Sequence, residues 1–215
     1  MELTELKKLV EKGEGPNLEF KRKAAFPEKL AREMVAFANT GGGILMVGVD
    51  DDKSIPGCKF PDEDMFAIEN FLLKSCHPKL NFRLEKVPLS AKRVILVYHI
   101  PRSRKKPHFL VQDGNRQAFV RSRDMSIVAS REMISLLRLE RRKSGVSIRM
   151  GEREKLIFEY LEQFGKITLE EAQRLLKTGR RQVSGLLVLL VRAGLLRIQP
   201  SEKGDFFSLA AEAFE

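Results

Sequence analysis

The sequence predicts an α/β (α+β) protein in two modules: a larger domain with a mixed sheet over residues 1–143 and a small helical module over residues 151–215. Three observations carry this. Apolar spacing alternates between helical and strand periods along the first 140 or so positions, as mixed folds require. Residues 144–150, SGVSIRM, break that texture and read as a linker. Beyond them come three amphipathic helical patterns and a hairpin with Pro200, Lys203 and Gly204 at its tip. With 215 residues, 43% of them hydrophobic, the chain can fill real cores.

Element by element, Leu3, Leu6, Leu9 and Val10 have helical spacing, and Gly13 stops that helix. NLEFK alternates, with Leu18 and Phe20 on one face and Asn17, Glu19 and Lys21 on the other, so it reads as a strand. Pro27 opens a helix with a stripe of Leu30, Met34, Phe37 and Ala38. Ile44 to Val49 is a continuous β-type run, expected to be a central strand covered on both faces and to release its chain at Asp50. A helix from Asp62 to Cys76 follows, then two strands, KLNFRLEKVPL and KRVILVYHI, with a turn near Ser90. A basic loop, PRSRKKPHF, leads through a turn at residues 113–115 into QAFVRS, after which Ser130 caps a helix.

The charge balance limits the partners. Thirty-nine Lys and Arg against 29 Asp and Glu give +10 and a pI near 9.7, pointing to polyanions, nucleic acid before acidic membrane. Cys58 and Cys76 are too few for a disulfide scaffold, and with His77 they do not complete a zinc set. The N-terminus lacks a signal-peptide core, and the most apolar run, Leu186 to Leu196, is too short to span a bilayer. The expectation is a soluble cytoplasmic protein with no membrane partner.

Gly41, Gly42 and Gly43 invite a phosphate-loop reading. Such a loop needs the order strand, loop, helix, so that backbone N–H groups and the positive dipole end face the anion. Here the glycines follow a helix and precede a strand, and no Lys-Ser/Thr pair comes after them. They are expected to cap the helix, with Asn39 and Thr40 adding side-chain hydrogen bonds at the corner.

Glu14, Glu19 and Asp50 converge if the first strand pairs beside the Ile44 strand. Three carboxylates in one cleft need a cation, because like charges raise one another's pKa, and Mg²⁺ or Mn²⁺ would serve. Such an ion could activate water and steady a phosphate under attack. The alternative is that Glu19 pairs with Lys21 or Lys23, Glu14 is solvated, and Asp50, Asp51 and Asp52 form a polar turn.

In the tail, EREKLIFEYLEQFG is a helix ending at Gly165, Thr168 and Glu171 form a capping box, and Thr178-Gly179 turn into a third helix. With the terminal hairpin, this order resembles the winged helix-turn-helix family. The resemblance implies that Arg180, Arg181, Gln182 and Ser184 lie in the turn that meets DNA and that Lys203 sits on the wing. The alternative is a protein-interaction or dimerisation module.

EGPNLEFK, AFANTGGGILMVGVDDD with Gly57 after it, and PHF followed by AFVRSRD together resemble the Schlafen-type Alba-like domain, also called the divergent AAA domain, over roughly residues 10–140. Prokaryotic members often carry a winged helix behind it and are generally described as DNA-binding or transcriptional regulators. In vertebrate Schlafen proteins a tandem pair of these domains forms a metal-dependent endoribonuclease acting on structured RNA such as tRNA. The resemblance carries that family's acids onto Glu14, Glu19 and Asp50, with Asp51 if the register slips, and places Lys21 near the scissile phosphate. It matches Arg121 to the Tyr-x-Arg arginine, although Phe119 stands where tyrosine is usual. With one such unit in the chain, a two-unit RNA cleft requires a homodimer.

Arg102, Arg104, Lys105 and Lys106 form a loop cluster, with Arg121 and Arg123 close behind, that could grip a nucleic-acid backbone while Phe109 offers a stacking surface. As a plain solvated loop it would do neither. No pair among His77, His99 and His108 has metal-ligand spacing. Two functions follow from this reading: a DNA-binding transcriptional regulator, or an endoribonuclease dependent on Mg²⁺ or Mn²⁺.

Overall fold

The computed structural model describes residues 1–140 and 148–210, and the chain divides into two compact units, Met1–Val128 and Ala129–Glu215. Residues 144–147 of the expected linker and Arg141 to Lys143 lie outside the described residues.

The first unit begins with α1 (Leu3–Lys12), which ends at Gly13 with φ 81°. Strand β1 (Leu18–Lys21) leads to α2 (Pro27–Asn39) and then to β2 (Gly42–Val47). After β2 come α3 (Pro61–Ser75), the short β3 (Cys76–His77), and the hairpin of β4 (Arg83–Ser90) and β5 (Arg93–Pro101). The main sheet has the order β1-β2-β5-β4, with β1 and β2 parallel and the other pairs antiparallel. The mixed sheet expected from the sequence is therefore present. Strand β2 stops at Val47, two residues earlier than its apolar run suggests, because Gly48 takes φ 102° and turns the chain out of the ladder.

Both faces of this sheet are buried. Leu45, Val47, Leu96 and Tyr98 join Met34 and Phe37 of α2 and Ile68 of α3 in one cluster. Phe20, Met46, Ile95 and Val97 pack with Leu6 and Val10 of α1 in another. The parallel register sets Glu19 opposite Leu45 and Phe20 opposite Met46, so Glu19 shares the α2 side of the sheet. The polar face expected for β1 is thus covered rather than wet: Glu19 is 6% exposed.

Four short strands complete the unit: β6 (Phe109–Gln112), β7 (Asn115–Gln117), β8 (Phe119–Ser122) and β9 (Met125–Val128). They form a β3-β6-β7 sheet and a β8-β9 hairpin. The C-terminal corner of α2 pins both. Asn39 Nδ2 donates to the carbonyls of His108 and Phe119, Asn39 Oδ1 accepts from His108 N–H, and Thr40 Oγ1 accepts from Arg121 N–H at 3.0 Å. Gly42 follows with φ 83°, where an added Cβ would stand 2.8 Å from the Ile100 carbonyl oxygen and the Arg102 nitrogen. The glycine run therefore closes a helix and lets two backbones approach, at the negative end of the helix.

In the second unit Ser130 caps α4 (Arg131–Leu139) by accepting from Met133 N–H. It continues through α5 (Glu152–Phe164), β10 (Ile167–Thr168), α6 (Leu169–Leu176), α7 (Arg180–Arg192), β11 (Leu196–Gln199) and β12 (Phe206–Leu209). The three strands form a sheet of order β10-β12-β11. Ile157, Leu161, Val183, Leu187, Leu190 and Phe207 make its core. Thr168 and Glu171 form the expected capping box. Among the described residues no helix is long and apolar enough to cross a membrane.

Candidate functional site

A cluster of charged side chains in the first unit gathers around β1. Glu19 and Lys21, two apart on a strand, share a face, and Lys21 Nζ donates to Glu19 Oε1 and to the Phe20 carbonyl. On the other side Arg121 of β8 reaches Glu19 Oε2 at 2.9 Å and Glu33 of α2 at 2.7 Å. The same guanidinium donates to Ser126 Oγ and the Gly15 carbonyl and lies 4.8 Å from the Phe37 ring centroid. Its Nε has no hydrogen-bond partner among the described residues. Only 2% of the Arg121 side chain is exposed.

Glu14 approaches from the loop after α1. Its Oε1 accepts the Phe20 N–H at 2.8 Å, satisfying a donor on the free edge of β1, and stands 3.9 Å from Lys21 Nζ. Three carboxylates, Glu14, Glu19 and Glu33, thus share two cations, Lys21 and Arg121. Burial pushes the pKa of Glu14 up, with the charges of Glu19 and Asp51 adding, against the Phe20 hydrogen bond. Burial likewise raises Glu33, and the neighbouring Glu19 adds to it, while Ser126 and Arg121 pull the other way. For Lys21, burial works to lower the pKa, but the hydrogen bond and charge of Glu19, with Glu14 and Glu33, outweigh it and raise it.

Asp50 lies in the turn after β2 and pairs with Arg22 at 3.2 Å. Asp50 accepts from Asp51 N–H, Asp52 accepts from Ser54 N–H, and Lys53 N–H bonds the Asp50 carbonyl, so the three aspartates build a polar turn. Among the described residues no three His, Cys, Asp or Glu side chains are grouped to hold a metal ion. Glu14, Glu19 and Asp50 do not fit an ion as they stand: Glu19 is occupied by two cations and Asp50 by another.

The basic residues read from the sequence divide by burial. Arg102, Arg104, Lys105 and Arg123 are exposed in the first unit, as are Arg180, Arg181, Gln182 and Lys203 in the second. Two readings are corrected. Lys106 is 4% exposed and Arg121 5%, so neither offers a surface to nucleic acid; Arg121 is an internal counter-ion for Glu19 and Glu33. Phe109, read as a stacking surface, is 5% exposed and lies under Arg116, 3.9 Å from the ring centroid. In α7, Arg180 pairs with Glu170 of α6 at 2.9 Å, Gln182 bonds Thr178, and Ser184 donates to Glu132 of α4 at 2.6 Å. Arg181 is thus the exposed arginine of that first turn with no ion pair recorded among the described residues.

Glu33 was missed by sequence reasoning. It sits half-buried on a helix whose positions 30, 31 and 34–39 are all buried, and no spacing in the sequence ties it to Arg121, 88 residues away.

A β1-α2-β2 parallel unit with an antiparallel β5-β4 hairpin, and an acid-and-lysine cluster on its first strand, make the first unit a small mixed-sheet domain. The Schlafen, AlbA_2 family model matches residues 14–130, and the chain belongs to that family. Among solved structures, the N-terminal domain of a RecG-related protein from Nitrosomonas europaea is similar at 20% identity over 61% of this chain and 93% of that one, with TM-score 0.45. The DIP2311 protein from Corynebacterium diphtheriae is similar at 16% identity over 90% of this chain, which spans 34% of that protein, with TM-score 0.43.

Proposed function

We propose that this protein binds nucleic acid and acts as a DNA-binding transcriptional regulator, with the second unit serving as a winged helix-turn-helix. The observation that carries this reading is the exposed Arg181 at the start of α7, reached by a tight turn from α6. The order of helices and strands, ending in a β11–β12 hairpin with Lys203 exposed between the strands, supports it. Arg181 would meet phosphate or base edges, and Lys203 would reach the backbone from the wing. Membership of the Schlafen, AlbA_2 family and the excess of cations point the same way.

Duplex retention measured against salt tests the reading. Arg181→Ala is expected to weaken binding and to reduce the slope of log K against log[salt] by about 0.9, one phosphate contact. An unchanged slope and affinity would refute it.

The second reading is an endoribonuclease dependent on Mg²⁺ or Mn²⁺, working on structured RNA as a homodimer. The observation on its side is the pair Glu14 and Glu19 around Lys21. For that reading to hold, Glu19 must exchange a cationic partner for the ion and Asp50 must leave Arg22. Incubation of labelled tRNA with Mg²⁺ or Mn²⁺, with EDTA and Glu19→Gln as controls, decides it: RNA left intact in the wild-type reaction removes the reading.

A further inference from the structure

A second feature lies beside the carboxylate cluster at the outgoing ends of β1 and β2. Gly48 comes so close to the loop ahead of α3 that an added Cβ would stand 3.0 Å from Gly57 Cα, and the Gly57 N–H bonds the Gly48 carbonyl. This approach folds the loop back against the sheet and leaves a cleft of about 510 Å³ in front of it. Four cations line it from three places in the chain: Arg22 and Lys23 after β1, Lys59 on the loop, and Arg93 at the start of β5. Its acidic lining residues are Glu63 and Asp64 of α3, so cations outnumber carboxylates in the wall.

The commitments of these cations differ. Arg22 pairs with Asp50 on the rim, and Arg93 donates to the Gly57 carbonyl at 3.3 Å. Among the described residues no ion pair is recorded for Lys23 or Lys59, and both are exposed. Phe60 stands in the same wall at 54% exposure, with Lys59 Nζ 5.1 Å from its ring centroid. A large aromatic ring left open to solvent, with the Lys59 ammonium beside it and Lys23 in the same cleft, offers both a face and a charge. Phosphate on Lys23 and Lys59 would bring an attached base within reach of the Phe60 ring.

We propose that this cleft binds a nucleotide unit with an unpaired base, its phosphate held by Lys23 and Lys59 and its base stacked on Phe60. A base pair within a duplex hides its faces against its neighbours, so the ring selects a single strand or a free nucleotide. The volume lies within the ordinary range for a small-ligand site and suits one nucleotide rather than a helix. The site lies within the first unit and does not depend on the winged-helix reading of the second.

The test uses the full chain, a fluorescent 12-mer of oligo(dT), a labelled duplex, and anisotropy titrations at several salt concentrations. Lys23→Ala/Lys59→Ala is expected to lower the single-strand salt slope by about 0.7, the one phosphate that the two lysines share. Phe60→Ala is expected to weaken oligo(dT) binding about tenfold. Both variants should leave duplex retention unchanged, whereas Arg181→Ala should affect the duplex and spare oligo(dT), so failure of one reading is distinguishable from failure of the other. Competition with thymidine monophosphate assigns the source: displacement of the strand points to free nucleotide, and resistance to the strand itself. All three substituted side chains are exposed, and a melting curve checks that each variant folds. Wild-type affinity and slope in either variant, or no binding of oligo(dT) by the wild-type chain, overturns the proposal.

Discussion

Arg121→Met removes a buried cation while keeping a side chain of similar length. The guanidinium answers Glu19 at 2.9 Å, Glu33 at 2.7 Å and the Gly15 carbonyl at 2.7 Å, and its side chain is 2% exposed. Without it, Lys21 is the remaining cation for three clustered acids, of which Glu19 and Glu33 have side chains only 8% and 14% exposed. Breaking a buried ion pair from one side costs about 3–5 kcal/mol, because the abandoned charge stays out of water. For a unit of this size that lowers the melting temperature by about 10 °C or more. The penalty should shrink at acid pH, where Glu33, its pKa raised by burial, takes a proton and no longer needs a partner. Urea or thermal denaturation followed by circular dichroism at pH 7 and near pH 4.5 measures both effects. Wild-type stability at pH 7, or an equal loss at both pH values, would show that Arg121 is not the counter-ion the geometry makes it.

Three further outcomes are expected. Glu14 and Glu33 have folded pKa values raised above the ordinary 4.5, so the folded state holds their protons more tightly than the unfolded chain; their contribution to stability is complete below pH 4.5 and is lost as pH rises through the raised values, and Glu14→Gln should flatten that fall in a pH series of urea midpoints. Thr168 accepts from Glu171 N–H at the start of α6, and Thr168→Ala should destabilise the second unit by about 1 kcal/mol in urea titrations. Burial pushes the thiols of Cys58 and Cys76 up to about 12, so neither should react with a thiol reagent at pH 8 in the native protein, and both should react once it is unfolded.

The carboxylate cluster shows how sequence and structure divide the information. Glu14, Glu19 and Lys21 were legible because they crowd within eight positions around one strand. Their partners were not. Arg121 lies 102 residues from Glu19 and Glu33 88 residues from Arg121, and no periodicity relates such positions. The cleft cations were missed for the same reason, since Arg22, Lys59 and Arg93 look like scattered surface charges until a loop folds them together.

By itself the sequence determined what nearest neighbours decide. The stop of α1 at Gly13, the Ser130 cap, the Thr168–Glu171 box and the orientation of the glycine run toward a helix C-terminus all follow from contacts within a few residues. Tertiary structure alone decided that both faces of β1 are covered, and that Arg121 and Lys106 are buried while Lys23 and Lys59 are exposed. Burial depends on what packs from elsewhere in the chain, and the cost of burying a charge makes that packing, rather than residue type, decide which cations reach solvent.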